Sequence, residues 1–263
     1  MLGSVIGDII GSPYEFHNIK TKDFPLFSSK CCFTDDTILT CATTDWLLSE
    51  KDAKTSLQDW GKNYQDRTYE NGKVAPFGKG FLKWLSDGIP YGAKTNGCIM
   101  RLSPVAWLIN GQKTGLKKGT HLTSLTHNHP ESFRATRAYL DTLYLMKRKT
   151  PVPIIKNYIE HKYKYNLSDS IDTLREKNDK FYCSCSKTVP QAIACALQAV
   201  SYEDAVRNAV SIGGDSDTLA AMAGGIAEIR FGIPPKIVKE AQTFLDKKTK
   251  LIIARFQEKV RSN

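Results

Sequence analysis

No run of roughly eighteen apolar residues occurs in the 263-residue chain, which argues against a membrane-spanning helix. The opening MLGSVIGDIIGSPYEF is apolar but lacks a basic leader region and carries Asp8 and Glu15. It is expected to form the first core helix rather than a secretory signal. Cysteine is sparse, and its count of seven is odd. Cys183-x-Cys185 is too tight for the usual zinc pair, and no second pair answers it. With Cys41 and Cys195 in apolar surroundings, these residues read as reduced thiols of a cytoplasmic protein. Segments alternating with period two are few and short, so an extended sheet is not expected. No unit recurs at solenoid spacing, which excludes a repeat array. There is neither a G-x-G-x-x-G dinucleotide fingerprint nor a strand–G-x-S-x-G–helix elbow.

What is present is helical. Apolar residues make up 41% and charged residues 24%, an ordinary balance for a globular chain. Residues 36–50 place Ile38, Leu39, Ala42, Trp46 and Leu47 on a helical period. Residues 131–147 begin acidic and end basic, as the helix dipole favours. Residues 188–200 offer Thr188 as a cap and Pro190 in the first turn, and residues 203–213 stop at Gly213. Residues 216–231 are small and apolar nearly all round, which marks a central buried helix. Two more helices are expected after Pro234-Pro235. Asn71-Gly72, Asn96-Gly97 and Asn110-Gly111 mark loops. Gly3, Gly7 and Gly11 recur every four residues, a pattern for close helix packing. The expected fold is all-α: one compact multi-helix domain over residues 1–263.

Two acidic motifs carry the chemistry. One is Phe33-Thr34-Asp35-Asp36-Thr37; the other is Gly213-Gly214-Asp215-Ser216-Asp217-Thr218. Each opens an apolar helix, and capping explains part of the pattern. One cap needs one oxygen, however, and unpaired charge beside a buried helix is costly. A pair of hard divalent cations with carboxylate, hydroxyl and water ligands would resolve that cost. From spacing alone, capping and metal binding both stand. Glu15, in Gly11-Ser-Pro-Tyr-Glu-Phe-His17, reads either as a solvated loop carboxylate or as one that reaches the metals or substrate. The run Thr95-Asn96-Gly97-Cys98-Ile99-Met100-Arg101 is either a surface turn or a phosphate-receiving one. His127 and His129 in Thr126-His127-Asn128-His129-Pro130 fit ligand contact or capping better than a metal.

These residues resemble the ADP-ribosylglycohydrolase family. The resemblance rests on Gly7-Asp8 with Gly11 and Glu15, the Thr34–Thr37 motif, Asn96-Gly97 with Met100-Arg101, Thr126-His127, Val189-Pro190-Gln191-Ala192, and Ser211 through Thr218. It spans nearly the whole chain. It implies an all-α fold with two Mg²⁺ or Mn²⁺ ions held by Thr34, Asp35, Asp36, Asp215, Asp217 and Thr218. It also implies catalytic roles for Glu15, Asp35 and Asp36. An ADP-ribose cleft would be lined by Asn96, Gly97, Cys98, Met100, His127, Tyr182, Gly214 and Ser216, with backbone N–H groups near Gly97 and Gly214 on the pyrophosphate. The implied reaction releases ADP-ribose from a modified macromolecule by hydrolysis at the ribose C1. ADP-ribosylated protein (arginine or serine) is the expected partner, with modified nucleic acid open, and the chain is expected to be a monomer.

Two rival readings remain. One is an ADP-ribose reader without turnover. The other is a nucleic-acid binder, motivated by 37 basic against 27 acidic residues, a net charge of +10.

Overall fold

The run 216–231 forms α12 (Ser216–Phe231), and from Ser216 to Ala227 every residue is buried. Small side chains all round let neighbours approach from every direction. α1 (Leu2–Gly11), α7 (Pro130–Lys147), α10 (Cys185–Gln198) and α11 (Tyr202–Ser211) pack around it. The closest neighbour is α1, because of its glycine spacing. A Cβ on Gly7 would lie 2.1 Å from the Ala220 carbonyl oxygen, and one on Gly3 would lie 2.3 Å from that of Gly224. Backbone therefore touches backbone, and Asp8 of α1 is brought level with the start of α12.

The computed structural model describes residues 1–68 and 77–262. Within them the chain forms fourteen α-helices and three 3₁₀ turns. α2 (Asp35–Leu48) and α3 (Ala53–Tyr64) form one flank, followed by α4 (Lys79–Asp87) and α5 (Ser103–Leu108). α6 (Gln112–Ser124), α8 (Val152–Tyr163) and α9 (Ile171–Lys177) surround α7 and α10. α13 (Pro235–Ala241) and α14 (Lys247–Arg261) close the chain, as the Pro-Pro break predicts. An isolated antiparallel bridge joins Thr95 and Ser184. The all-α expectation holds, and the apolar side chains share one core. Among the described residues no helix is long and apolar enough to cross a membrane. The Asn71-Gly72 turn lies outside the described residues.

One boundary differs from the periodicity. α10 starts at Cys185, so Pro190 stands inside the helix and Thr188 is not its cap. The start is set by long-range pairing. The Asn96 N–H donates to the Cys183 carbonyl at 2.8 Å, and the Cys185 N–H to that of Lys94 at 2.9 Å. Those bonds dock the 95–98 turn onto the head of α10, and local propensity has no access to them.

Candidate active site

Three helix ends meet at the site. α2 begins beneath Thr34, whose hydroxyl accepts from the Asp36 N–H as an N-cap. α12 begins after Gly213 and Gly214, both in the left-handed region (φ +74° and +84°), where a side chain would be strained. The Gly214 N–H donates to Asn18 Oδ1 at 2.7 Å, and Asn178 Nδ2 donates to the Gly213 carbonyl at 2.7 Å. The turn that carries Asp215 is therefore clamped from both sides. α1 supplies Asp8 from its last turn.

Asp8 is fully buried and organises the α2 start. Its Oδ1 accepts from the Thr34 hydroxyl at 2.7 Å. Its Oδ2 accepts from the Thr34 N–H at 2.9 Å, the Thr37 N–H at 3.1 Å and the Thr37 hydroxyl at 2.5 Å. Four donors thus surround one carboxylate. Even so, burial holds Asp8 above the usual carboxylate range, and those hydrogen bonds offset only part of the effect.

Asp36 is buried and less well supplied. Its Oδ2 accepts from the Thr218 hydroxyl at 3.2 Å, while Oδ1 has no hydrogen-bond partner among the described residues. Burial, then the charges of Asp8 and Asp217, push Asp36 well above the ordinary value. Burial also raises Asp215 to about 6, opposed by its hydrogen bonds with Asp217 and Asn96. Carboxylate oxygens of Asp8, Asp36 and Asp217 lie within 4.8 Å of one another, and so do those of Glu15, Asp215 and Asp217. The two groups share Asp217. A buried carboxylate oxygen without a donor, inside an all-oxygen set, fits a hard divalent cation.

The groups open into a cleft of about 290 Å³. Two sets of residues line it: Glu15, Asp35, Asp36, Asp215, Asp217 and Thr218 from the ends of α1, α2 and α12, and Asn96, Gly97, Met100 and His127 from the 96–100 and 127 segments. Segments almost the whole chain apart thus share one cavity. Asp35 lines the cleft but belongs to neither carboxylate group. Thr34 is buried behind Asp36, and its hydroxyl is committed to Asp8.

Several expected ligand contacts sit differently. Asn96 is buried, and its Nδ2 donates to Asp215 Oδ2 at 2.8 Å, so it orients a carboxylate. Cys98 is fully buried and does not line the cleft. The Gly214 N–H is already used by Asn18 and is not available to a phosphate. Ser216 is buried, and its hydroxyl donates to the Tyr14 carbonyl at 3.3 Å. Tyr182 lines a neighbouring cavity, while Cys183 next to it faces the cleft.

Other residues of the site escape a sequence reading. Asp8 belongs to the motif Gly7-Asp8, yet nothing local distinguishes it from a helix-end charge. Leu39, Phe81 and Tyr91 line the cleft from α2, α4 and the following loop. The helical period around Leu39 gives only core character. Thr95 lines the cleft beside His127, whose Nε2 lies 3.0 Å from its hydroxyl. Burial, then the nearby Arg101 charge, lower His127 to about 3, so its imidazole is neutral at physiological pH.

The ADP-ribosylglycohydrolase family model matches residues 1–259. The chain is 27% identical to ADP-ribosylarginine hydrolase Tri1 of Pseudomonas putida (strain GB-1), over 91% of this chain and 72% of that protein. It shares a fold with a solved structure described as an ADP-ribosylglycohydrolase-related protein complex. There the TM-score is 0.72 at 20% identity, covering 99% of this chain and 95% of that one. The chain belongs to the ADP-ribosylglycohydrolase family.

Proposed function

We propose that this member of the ADP-ribosylglycohydrolase family hydrolyses the bond between C1 of the distal ribose and a modified side chain, with arginine as the acceptor. The observation that carries the reading is the pair of carboxylate groups sharing Asp217 at the floor of one cleft. Similarity to an ADP-ribosylarginine hydrolase supports the choice of arginine. Two Mg²⁺ or Mn²⁺ ions would be held by Asp36, Asp215, Asp217 and Thr218; when bound, such ions polarise sugar hydroxyls and acidify water.

The chain's own residues account for the remainder. Asp8 holds the Thr34–Thr37 turn so that Asp36 faces the cleft, and Asn96 holds Asp215. Leu39, Met100, Phe81 and Tyr91 give the cleft an apolar side that excludes water around the sugar. Water adds to C1 as the C–N bond breaks through an oxocarbenium-like transition state. The guanidine leaves with a proton and ADP-ribose is released. Glu15, half-buried on the loop after α1, is placed to transfer a proton between acceptor and solvent, with Asp35 at the rim as the second candidate.

The cysteines are free thiols, which supports a reducing compartment such as the cytoplasm. The test is release of ADP-ribose from ADP-ribosylated arginine and serine peptides with each metal. Release from the arginine peptide is expected, and its absence with both ions would overturn the reading.

A further inference from the structure

Arg101 is fully buried yet has no carboxylate in salt-bridge range among the described residues. Its Nη2 donates to Thr126 Oγ1 at 2.7 Å and more weakly to the Leu122 carbonyl at 3.4 Å. Its Nε and Nη1 have no partner among the described residues. A guanidinium in such a position is costly to keep. Thr126 is likewise fully buried, and its hydroxyl oxygen lies 2.8 Å from His127 Nδ1. His127 Nε2 in turn lies 3.0 Å from the hydroxyl of Thr95, which lines the cleft.

Proton counting gives this chain a direction. Arg101 can only donate, so Thr126 Oγ1 accepts there. The single Thr126 hydroxyl proton then has one acceptor in reach among the described residues, His127 Nδ1. A neutral imidazole that accepts at Nδ1 carries its proton on Nε2 and donates to Thr95 Oγ1. The Thr95 hydroxyl proton is left for the cleft. The opposite tautomer would leave the buried Thr126 proton without an acceptor and turn the Thr95 proton inward onto Nε2.

We propose that Arg101, Thr126 and His127 form a one-way hydrogen-bond relay that makes Thr95 Oγ1 a fixed donor to a diphosphate oxygen of the bound ADP-ribose. Thr95 is the ligand contact; Arg101 and Thr126 are positioning residues. The buried positive charge polarises the relay and favours the anionic part of the ligand on this wall. The identity of the ligand rests on the function proposed above, while the direction of the relay does not.

Two measurements test the proposal. Nitrogen-detected NMR of His127 in the ligand-free protein should show the neutral Nε2–H tautomer; the Nδ1–H tautomer would overturn the relay whatever the ligand is. Calorimetry with ADP-ribose should show Thr95→Val weakening binding by about tenfold, the loss of one hydrogen bond to a charged group. Thr95→Ser should restore it. Thr126→Val, buried and out of reach of any ligand, should weaken binding by a similar factor and shift His127 to the other tautomer, whereas Thr126→Ser should do neither. In the substrate assay these losses should appear mainly in KM. Wild-type affinity in Thr95→Val would overturn the proposal. If the wild-type protein itself fails to bind ADP-ribose, the functional reading fails, and the tautomer alone decides the relay.

Discussion

The two walls of the cleft solve opposite problems with the same side chain. On the α1–α2–α12 wall a buried carboxylate, Asp8, accepts from the hydroxyls of Thr34 and Thr37. On the side that carries Thr95 and His127 a buried guanidinium, Arg101, donates to the hydroxyl of Thr126. In each case threonine satisfies a hidden charge: Thr34 and Thr37 fix the turn that carries Asp36, and Thr126 starts the relay toward Thr95. The acidic wall ends in acceptors, among them Asp36 Oδ1 with no donor among the described residues. The other side ends in a donor, the Thr95 hydroxyl. On the proposed function, the first side would suit cations and the second an anion. The sign of a wall is set by residues that touch no ligand.

Changes to the acidic wall should have the largest effect. Asp217→Asn removes the carboxylate common to both groups, and ADP-ribose release should fall by about a thousandfold or more, equivalent to several kcal/mol of lost stabilisation. Far-ultraviolet circular dichroism should remain helical. A variant retaining a tenth of the activity would mean that the acidic wall is not the cation side.

Gly7→Val tests what holds the acidic wall together, since α1 and α12 both belong to it. Its Cβ would meet the Ala220 carbonyl oxygen at 2.1 Å, a contact with backbone that side-chain repacking cannot relieve. Thermal unfolding should show a loss of about 3 kcal/mol or more, with activity lost in parallel. Asp8→Asn is subtler. An amide there presents donors to a site already filled by four donors, which should cost about 2 kcal/mol and weaken divalent-ion affinity.

The side that carries Thr95 and His127 gives the smallest and most specific effect. The folded state holds His127 at about 3, below its ordinary 6.5. The unfolded chain therefore binds more protons between those values, and stability falls as pH drops through that window. Urea midpoints should show wild type losing up to about 1.4 kcal/mol per pH unit more than His127→Gln across this window. Equal slopes would mean that His127 titrates normally and that the wall is wet.

Much of this was legible in the sequence, and the rest shows where sequence reasoning stops. The motifs at Thr34–Thr37 and Gly213–Thr218 are legible because their carboxylates are crowded beyond what capping needs. The Gly3, Gly7 and Gly11 spacing is legible because only backbone contact requires it. Asp8 and Arg101 are harder, since each acts through partners that the fold alone brings near. Asn96, expected on the ligand, lines the cleft and also holds Asp215, a role visible only once residues 119 positions apart meet. The start of α10 was misplaced for the same reason: its first turn is fixed by bonds to the 94–96 segment.

The central claim is that one wall takes cations because buried carboxylates crowd there around Asp36 Oδ1, which has no donor among the described residues. Its most direct test is manganese titration of chelator-treated protein followed by electron paramagnetic resonance. Wild type is predicted to take up Mn²⁺ at two interacting positions, and Asp217→Asn to lose both. Uptake unchanged in that variant, or none in wild type, would contradict the account.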